Sequence, residues 1–509
     1  MRERPNVILI SSDQQRGDCI GAERRKVRTP HIDRIGRDGT RFANCITPHP
    51  MCQCARSSIL TGKLPYSHGV RDNGRDLDPA FGAEGIGGVF GAAGYDTRFI
   101  GKAHLSSHQT FAPTGRPECY TSAKDFPVDW SGPYFGFDIV ELMLRPHHHT
   151  MWTDPPQALH YERMLDRDGE GGTRWARAKD HLEPETHHFQ AWRSALEPEW
   201  HSTQWIGDRA VDMIANRGAD DAPLLSWVSF PDPHPPFLAP RPFCDRYDPA
   251  EVDLPPHHEL DLDRRVWWHR AFLESPVRRN QGSQHNQGGV DWGQRGGLDE
   301  AALRDITAIY YGMIDAIDVQ VGRILDALEA GGMLEDTIVL FVSDHGEWLG
   351  DHGLLLKGPM LYDGLLRVPC LARGPGIPAG GVVDAPVSTL DIRATLTDLC
   401  GIEAEPDHGT SWRDVMAGGT RDFALGEWEV DAERSGVGMD LMTVRTGRYR
   451  MSWDARTDTG ELYDLQEDPF EMDDLFGDPS RAAIRMELLD MIRSRPDDRI
   501  PVSPRVGWH

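Results

Sequence analysis

The chain has 509 residues, of which 39% are apolar and 26% charged, and its formal net charge is −26. A chain of this length can form two or more domains with a large buried core. The acidic balance argues against nucleic acids and anionic membrane surfaces as partners, because both would repel the protein. An anionic substrate would therefore need a local cluster of positive charge.

The amino terminus, "MRERPNVILISSDQQ", has an apolar run too short for a secretory signal. No stretch of the sequence approaches the roughly 20 apolar residues of a membrane-spanning helix. The 8 cysteines include no C-x-x-C pair, so neither a disulfide framework nor a structural zinc site is predicted. We expect a cytoplasmic protein that does not bind membranes.

Three short apolar runs predict strands that are buried on both faces, as in a parallel sheet. They span residues 6–10, 224–230 and 337–342. Each run ends in polar or ionisable residues, and open α/β sheets place their functional sites at such strand ends. The residues that follow the runs are Asp13-Gln14, Asp232 with His234, and Asp344-His345.

The rest of the pattern indicates an α/β protein with a large, mostly parallel sheet between layers of helices. Apolar residues at helical spacing predict a long helix from Asp299 to Ala330. We assign this architecture to residues 1–419, with insertions at about 145–205 and 275–297. Strand-like pieces and a helix from about Ser480 to Arg493 predict a smaller α+β domain over residues 420–509. The second insertion is rich in Gly, Gln and Asn and predicts a mobile loop, and together with the aromatic tail it favours a homo-oligomer.

Two strand ends far apart in the sequence predict a site for one divalent cation. Asp13 and Gln14 follow the first run, and Asp344 and His345 follow the third. Adjacent strands would bring together two carboxylates, an amide oxygen and an imidazole, which suit a divalent metal. An Asp after a strand is more often a helix cap or a turn residue, but the repetition at two strand ends favours the metal.

Cationic residues beside these motifs predict an anion-binding site. Lys102 follows the strand-like residues 97–100, Lys357 lies 13 residues after Asp344, and Arg56 lies 4 residues after Cys52. A single Lys or Arg is usually a solvated surface residue. Three of them beside the sheet-end motifs of an acidic protein instead indicate an anion hole.

The remaining candidates are two histidines and a pair of cysteines. His104 and His234 could transfer protons, because imidazole titrates near neutral pH. Cys52 and Cys54 lie in "PMCQCARSSILTG" and could be a redox pair, metal ligands, buried packing or the origin of a nucleophile. The pair alone leaves these alternatives open.

Taken together, these motifs resemble the type I sulfatases, the formylglycine-dependent branch of the alkaline-phosphatase-like superfamily. The segments that carry the resemblance run through most of the chain in the order of the family. They are "NVILISSDQQ", "CQCARSSILTGKLPYSHGV", "GYDTRFIGKAHL", "FPDPHPPF", "FVSDHGEWLGDHG" with Lys357, and "GELYDLQEDPFE".

The resemblance implies that Cys52 is oxidised to Cα-formylglycine by a formylglycine-generating enzyme. One hydroxyl of the aldehyde hydrate would attack sulfur to give a covalent sulfo-enzyme, and the other would expel sulfate. The implied ligands of one Ca²⁺ or Mn²⁺ ion are Asp13, Gln14, residue 52, Asp344 and His345.

The same resemblance assigns roles to the remaining candidates. Arg56 would support the modified residue, and Lys102 and Lys357 would bind the sulfate group. His104 would orient the hydrate and assist its breakdown. His234 would donate a proton to the departing alcohol. The expected function is hydrolysis of a small, aryl sulfate ester.

Departures from the family pattern keep two alternatives open. The Pro of the C-x-P-x-R motif is Cys54 here, which is compatible with a non-catalytic metal-binding relative whose Cys52 stays a thiol. Asp13-Gln14 and Asp344-His345 resemble phosphonate monoester hydrolases and choline sulfatases, so a phosphonate monoester or phosphodiester is the alternative substrate. Lys102 and His104 of "GKAH" favour sulfate esters.

Overall fold

The computed structural model describes residues 4–144, 159–188, 190–218, 220–275 and 299–507. Residues 276–297 of the predicted loop insertion, residues 145–158 of the first insertion and the last two residues of the tail lie outside these ranges. The strands, in chain order, are β1 (Asn6–Ser12), β2 (Thr40–Phe42), β3 (Cys45–Ile46), β4 (Asp96–Gly101), β5 (Ile139–Leu142), β6 (Ala191–Ser194), β7 (Leu224–Ser229), β8 (Phe237–Pro240), β9 (Thr337–Ser343), β10 (Arg367–Val368), β11 (Cys370–Arg373), β12 (Gly381–Val383), β13 (Val387–Ser388), β14 (Phe423–Val430), β15 (Met439–Thr446), β16 (Tyr449–Asp454) and β17 (Thr459–Asp464).

The α-helices connect these strands and cover the sheet. In chain order they are α1 (Pro30–Arg37), α2 (Cys52–Thr61), α3 (Pro65–His68), α4 (Phe81–Glu84), α5 (Ile86–Ala92), α6 (Tyr120–Ala123), α7 (His160–Leu165), α8 (Gly171–Lys179), α9 (Ser202–Ala215), α10 (Trp267–Leu273), α11 (Glu300–Ala330), α12 (Asp363–Leu366), α13 (Ile392–Leu399), α14 (Arg413–Met416), α15 (Ala432–Ser435) and α16 (Ala482–Arg493). The predicted long helix is α11, and Asp299 caps it by accepting a hydrogen bond from the Ala301 amide.

The central sheet has eight strands in the order β12-β2-β11-β9-β1-β7-β4-β5. β1 pairs in parallel with both β7 and β9, and β4 pairs in parallel with β5 and β7. β11 runs antiparallel to β9 and to β2. The prediction of a large, mostly parallel sheet is therefore confirmed.

The central strands are apolar on both faces because helices cover the sheet on both sides. Val7 and Leu9 of β1 belong to one hydrophobic cluster, whereas Ile8 and Ile10 belong to a second. β9 alternates in the same way, with Leu340 in the first cluster and the residues on either side of it in the second. This two-sided burial explains why these segments read as continuous apolar runs.

A second, smaller unit follows the central sheet in sequence. β14, β15, β16 and β17 form an antiparallel sheet in chain order. α16 packs on it through Leu488, Leu489 and Ile492, which belong to the same hydrophobic cluster as Val444 and Met451. The predicted carboxyl-terminal α+β unit is thus present, while the domain boundary at 419/420 stays a prediction.

The first predicted insertion has more regular structure than its sequence suggested. No clear period was visible between residues 145 and 205, yet the described part contains α7, α8, β6 and the start of α9. β6 pairs in parallel with β8. The two short helices bury only single apolar side chains per turn, such as Leu165 and Trp175, which is too weak a pattern to detect. Among the helices described, none combines the length and apolar character needed to cross a bilayer.

Candidate active site

The site lies where three neighbouring strands end. Ser12 of β1 pairs with Ser343 of β9, so Asp13 and Asp344 leave the sheet side by side. Asp13 donates its backbone N–H to the carbonyl oxygen of Asp232, 3.0 Å away, beyond the end of β7. This is the edge at which the sequence predicted a site, and it follows directly from the parallel register.

Four potential metal-binding residues converge there. Asp13, Cys52, Asp344 and His345 each offer a ligand atom, and these atoms all lie within 4.8 Å of one another. His345 Nδ1 lies 2.8 Å from the carbonyl oxygen of Gly346. Because that oxygen can only accept, Nδ1 carries the proton, and the lone pair of Nε2 faces the cluster. Burial, and then Lys357, lower the pKa of His345 to about 4, so the ring is neutral at pH 7.

Gln14 joins this group through its amide oxygen. Its backbone has φ of 69°, a conformation that is uncommon for a residue with a side chain, and its N–H donates to Asp344 Oδ1 at 3.0 Å. Lys357 Nζ donates to Gln14 Oε1 at 2.7 Å. The side chain of Glu347 accepts a hydrogen bond from Gln14 Nε2.

Cys52 is the first residue of α2 and points into the cluster. Its Sγ lies 3.4 Å from Asp13 Oδ1, 3.1 Å from His345 Nε2 and 3.0 Å from Lys357 Nζ. Burial, followed by the charge of Asp13, raises the pKa of the Cys52 thiol above its ordinary value. The unmodified side chain is therefore a protonated thiol and a weak nucleophile.

Arg56 lies one turn further along α2 and is fully buried. Its Nε is 2.8 Å from Asp344 Oδ2 and its Nη2 is 3.3 Å from Asp13 Oδ2. Nη1 donates to the carbonyl oxygen of Lys102 at 2.6 Å and to Ser229 Oγ at 2.7 Å. The guanidinium thus joins α2 to the ends of β1, β4, β7 and β9.

The charges of the site are arranged as expected for an anion-binding site. Lys102 donates to Asp13 Oδ2, so three cations, including Arg56 and Lys357, surround two carboxylates. Burial raises the pKa of Asp13, but the charges of Lys102, Arg56 and Lys357 together outweigh burial and hold that pKa well below its ordinary value. Asp13 is therefore ionised, as a metal ligand must be.

The two predicted proton-transfer residues are also close to this cluster. Burial, His108 and Lys102 lower the pKa of His104 well below its usual value. Burial, Lys357 and Lys102 do the same for His234, whose Nδ1 bonds to the carbonyl oxygen of Pro235 at 2.7 Å. Both rings are neutral at pH 7.

His104 has two features typical of a functional residue. Neither ring nitrogen has a hydrogen-bond partner within the described part of the chain although the side chain is buried, and its backbone has φ of 51°. Its N–H donates to the buried carboxylate of Glu118, which also accepts the N–H groups of Leu105 and Ser106 at 2.9 and 3.0 Å. A turn held by a carboxylate keeps the ring in place.

Cys54 faces elsewhere. It belongs to the hydrophobic core cluster and is fully buried, and no disulfide joins Cys52 to Cys54. Of the alternatives for the pair, the structure therefore supports packing for Cys54 and a place in the polar cluster for Cys52.

Sequence analysis missed three residues that support the site. Ser229 ends a strand that had been identified, so its position could have been inferred. Glu347 lies three residues after Asp344 in a quoted motif, but its contact with Gln14 depends on a loop that returns to the first strand. Glu118 carries no signal, because no pattern relates it to the turn at His104.

The residues present fit a divalent metal ion. Two carboxylates, an amide oxygen and a neutral imidazole with its lone pair turned inward form a hard, mostly oxygen donor set. The nitrogen donor makes Mn²⁺ as suitable as Ca²⁺.

Comparison with known proteins identifies the family. Residues 5–402 match the family model described as Sulfatase, and residues 350–497 match the one described as N-sulphoglucosamine sulphohydrolase, C-terminal. The chain therefore belongs to the sulfatase family, within the alkaline-phosphatase-like fold class, and is a sulfuric ester hydrolase.

Individual relatives cover nearly the whole chain. It is 29% identical over 499 residues to an arylsulfatase from Clostridium perfringens, covering 93% of this chain and 90% of that protein. It is 26% identical to a choline-sulfatase from Rhizobium meliloti, covering 94% and 83%. Among solved structures, the phosphonate monoester hydrolase of Agrobacterium radiobacter superposes with a TM-score of 0.75 at 26% identity, covering 96% of this chain and 95% of that one.

Proposed function

We propose that this protein hydrolyses a small, aryl sulfate ester after Cys52 has been converted to Cα-formylglycine. The observation that carries the proposal is the position of Cys52, whose Sγ lies within 3.4 Å of Asp13, His345 and Lys357. A cysteine that only fills space in a core would have apolar neighbours and not three ionisable ones. The arylsulfatase relative supports the substrate class.

The proposed modification is a two-electron oxidation of Cys52. Its Cβ gains an oxygen atom and becomes an aldehyde, while the sulfur leaves as hydrogen sulfide. The formylglycine-generating enzyme would catalyse this step with dioxygen as the oxidant, which accepts the two electrons and the two protons. As a hydrate, the modified residue would offer two hydroxyl groups on one carbon, one to attack sulfur and one to expel sulfate afterwards.

The proposed metal ligands are Asp13, Gln14, Asp344, His345 and the modified residue 52. When bound, Ca²⁺ or Mn²⁺ would acidify a hydroxyl group of the nucleophile and neutralise charge on the sulfate oxygens.

The remaining residues bind the substrate and move protons. Arg56 fixes Asp13 and Asp344 and so holds the base of the site rigid. Lys102 and Lys357 place ammonium groups where sulfate oxygens would lie, which stabilises charge in the transition state. His234, whose ring is neutral in the structure, would take up a proton when the anionic ester binds and pass it to the departing oxygen. His104, whose ring nitrogens have no hydrogen-bond partner among the described residues, would remove the proton from the second hydroxyl.

A phosphonate monoester or phosphodiester is the alternative substrate. Such a group is also a singly charged tetrahedral centre with a leaving oxygen, so the same cations and nucleophile could act on it. The structural similarity to a phosphonate monoester hydrolase supports this alternative. Lys102 and His104 in the site favour sulfate.

Two measurements test the proposal. The tryptic peptide of residues 42–56 from the mature protein should be about 18 Da lighter than the thiol form and should react with a hydrazide at position 52. The mature protein should then hydrolyse 4-nitrophenyl sulfate faster than a phenyl phosphonate ester. An intact Cys52 thiol in material from the native host would instead support the non-catalytic, metal-binding alternative.

A further inference from the structure

The amide of Gln14 can function in only one of its two orientations. Its oxygen can bind a cation, whereas its NH₂ group can only donate hydrogen bonds and would repel one. A terminal amide turns over easily, since its final torsion is broad and roughly two-fold. Some neighbour must therefore fix which end of the Gln14 amide faces the metal site.

Two neighbours with opposite hydrogen-bonding character fix it. Lys357 Nζ, which can only donate, lies 2.7 Å from Gln14 Oε1. On the other side, the carboxylate of Glu347, which when ionised can only accept, receives the hydrogen bond from Gln14 Nε2. Both side chains are buried, so water does not compete for these bonds.

The second oxygen of Glu347 holds the loop that carries Lys357. Glu347 Oε1 accepts the N–H of Leu349 at 3.2 Å and the N–H of Leu356. Both of these residues have positive φ, 45° and 73°. The same carboxylate therefore holds the strained turn that precedes Lys357 and sets the orientation of Gln14.

We propose that Glu347 is a positioning residue that orients the Gln14 amide so that its oxygen, and not its NH₂ group, faces the metal site. The inference rests on the proposed function, in that it assumes Gln14 is a metal ligand. Glu347 acts through Gln14 and Lys357 and does not itself reach the reacting atoms.

The substitution E347Q tests this proposal because the surrounding hydrogen-bond donors fix the orientation of the new amide. The new side-chain oxygen is required by the N–H groups of Leu349 and Leu356, so the new NH₂ group would face Gln14. Two NH₂ groups cannot hydrogen-bond to each other, and Gln14 would turn its oxygen away from the metal site.

The readout is the affinity of the purified protein for Mn²⁺, measured by calorimetry without substrate. Losing the outer partner of a metal ligand typically weakens binding by about 10–100-fold, and we expect a loss in this range for E347Q. The matched control is E461Q, another buried Glu to Gln exchange, because Glu461 lies in the carboxyl-terminal unit and binds Arg450 of that unit and His269 of α10. It should bind Mn²⁺ like the wild type.

Making E347Q in the Q14E variant as well distinguishes an effect on the orientation of residue 14 from general damage to the fold. In Q14E two carboxylates face each other with no hydrogen bond between them, so Glu347 no longer holds the ligand at position 14 in place for Mn²⁺. Adding E347Q supplies an NH₂ donor to Glu at position 14 and keeps an oxygen for both backbone N–H groups. E347Q should thus weaken binding in the wild type and strengthen it in Q14E.

Each outcome has a distinct meaning. A reversal of sign between the two backgrounds supports the proposal, and the double variant keeps every hydrogen bond if E347Q alone proves unstable. An effect of the same sign in both backgrounds, or no effect of E347Q in the wild type, overturns it. Absence of Mn²⁺ and Ca²⁺ binding by the wild type would instead refute the metal site of the proposed function.

Discussion

Arg56 Nε lies 2.8 Å from Asp344 Oδ2 in a region where neither side chain has any exposure to solvent. The same guanidinium reaches Asp13 at 3.3 Å, so one cation from α2 pairs with both carboxylates that leave β1 and β9. Burying such an ion pair costs free energy, but removing Arg56 alone costs more, because both buried carboxylates would then lose a cationic partner.

We expect R56A to destabilise the fold by about 3–5 kcal/mol, the usual effect of removing one member of a buried ion pair. The stability of R56K should lie between those of R56A and the wild type. An ammonium keeps the charge but lacks the planar fork with which Arg56 bridges two carboxylates. Urea unfolding of the metal-free proteins measures both. In the control R493A, which removes an exposed Arg on α16, the change should stay below about 0.5 kcal/mol, and an equally small change for R56A would contradict the prediction.

Replacing Cys52 and replacing Cys54 by alanine should affect activity differently. C52A should abolish hydrolysis of 4-nitrophenyl sulfate, because Cys52 is the proposed source of the nucleophile. C54A should retain turnover and lose about 1 kcal/mol of stability, the cost of a small cavity in the core. The ratio kcat/KM and thermal unfolding are measured for both. Equal loss of activity in C54A would show that Cys54 takes part in maturation or chemistry.

Glu118 should affect catalysis through the turn that carries His104. E118A removes the acceptor for three consecutive backbone N–H groups, so we expect kcat to fall more than 10-fold while KM changes little. The control is Y134F, which removes only the hydroxyl that donates to Glu118 at 2.8 Å and should cost about 1 kcal/mol of stability. An unchanged kcat in folded E118A would contradict a positioning role.

The sequence predicted the strand ends of the site because they follow from local pattern. Asp13 and Asp344 come directly after apolar runs, and the parallel pairing of β1 with β9 brings them together without further information. Cys52, Arg56, Lys102 and Lys357 were identified by their spacing from these runs and by a family resemblance. The same pattern predicted the helices on both faces of the sheet.

Other parts of the site depend on loops whose path has no periodic signal. Glu347 reaches Gln14 only because its loop folds back over β1, and Glu118 reaches His104 across a turn with no regular structure. Short helices such as α7 bury too few apolar residues to show a 3.6-residue period. Contacts of this kind are set by tertiary packing and not by local propensity.

His68 should make the stability of the protein depend on pH. Burial lowers its pKa to about 3. In the folded protein Nε2 lies 3.0 Å from Ser58 Oγ, and Nδ1 accepts the Val70 N–H at 3.2 Å. In the unfolded chain the pKa is about 6.5. Below pH 6.5 the unfolded state therefore binds a proton that the folded state does not, and stability is lost progressively as the pH falls from 6.5 towards 3.

The variant H68Q should lack this contribution. Between pH 7 and pH 5 the free energy of unfolding should fall by about 2 kcal/mol less in H68Q than in the wild type. Urea unfolding at the two pH values provides the comparison, and the other buried histidines cancel because both proteins contain them. S58A is the control, since it removes the partner of Nε2 but retains the buried ring, and it should keep most of the pH dependence. The same loss of stability in H68Q as in the wild type would mean that His68 becomes protonated within the folded protein.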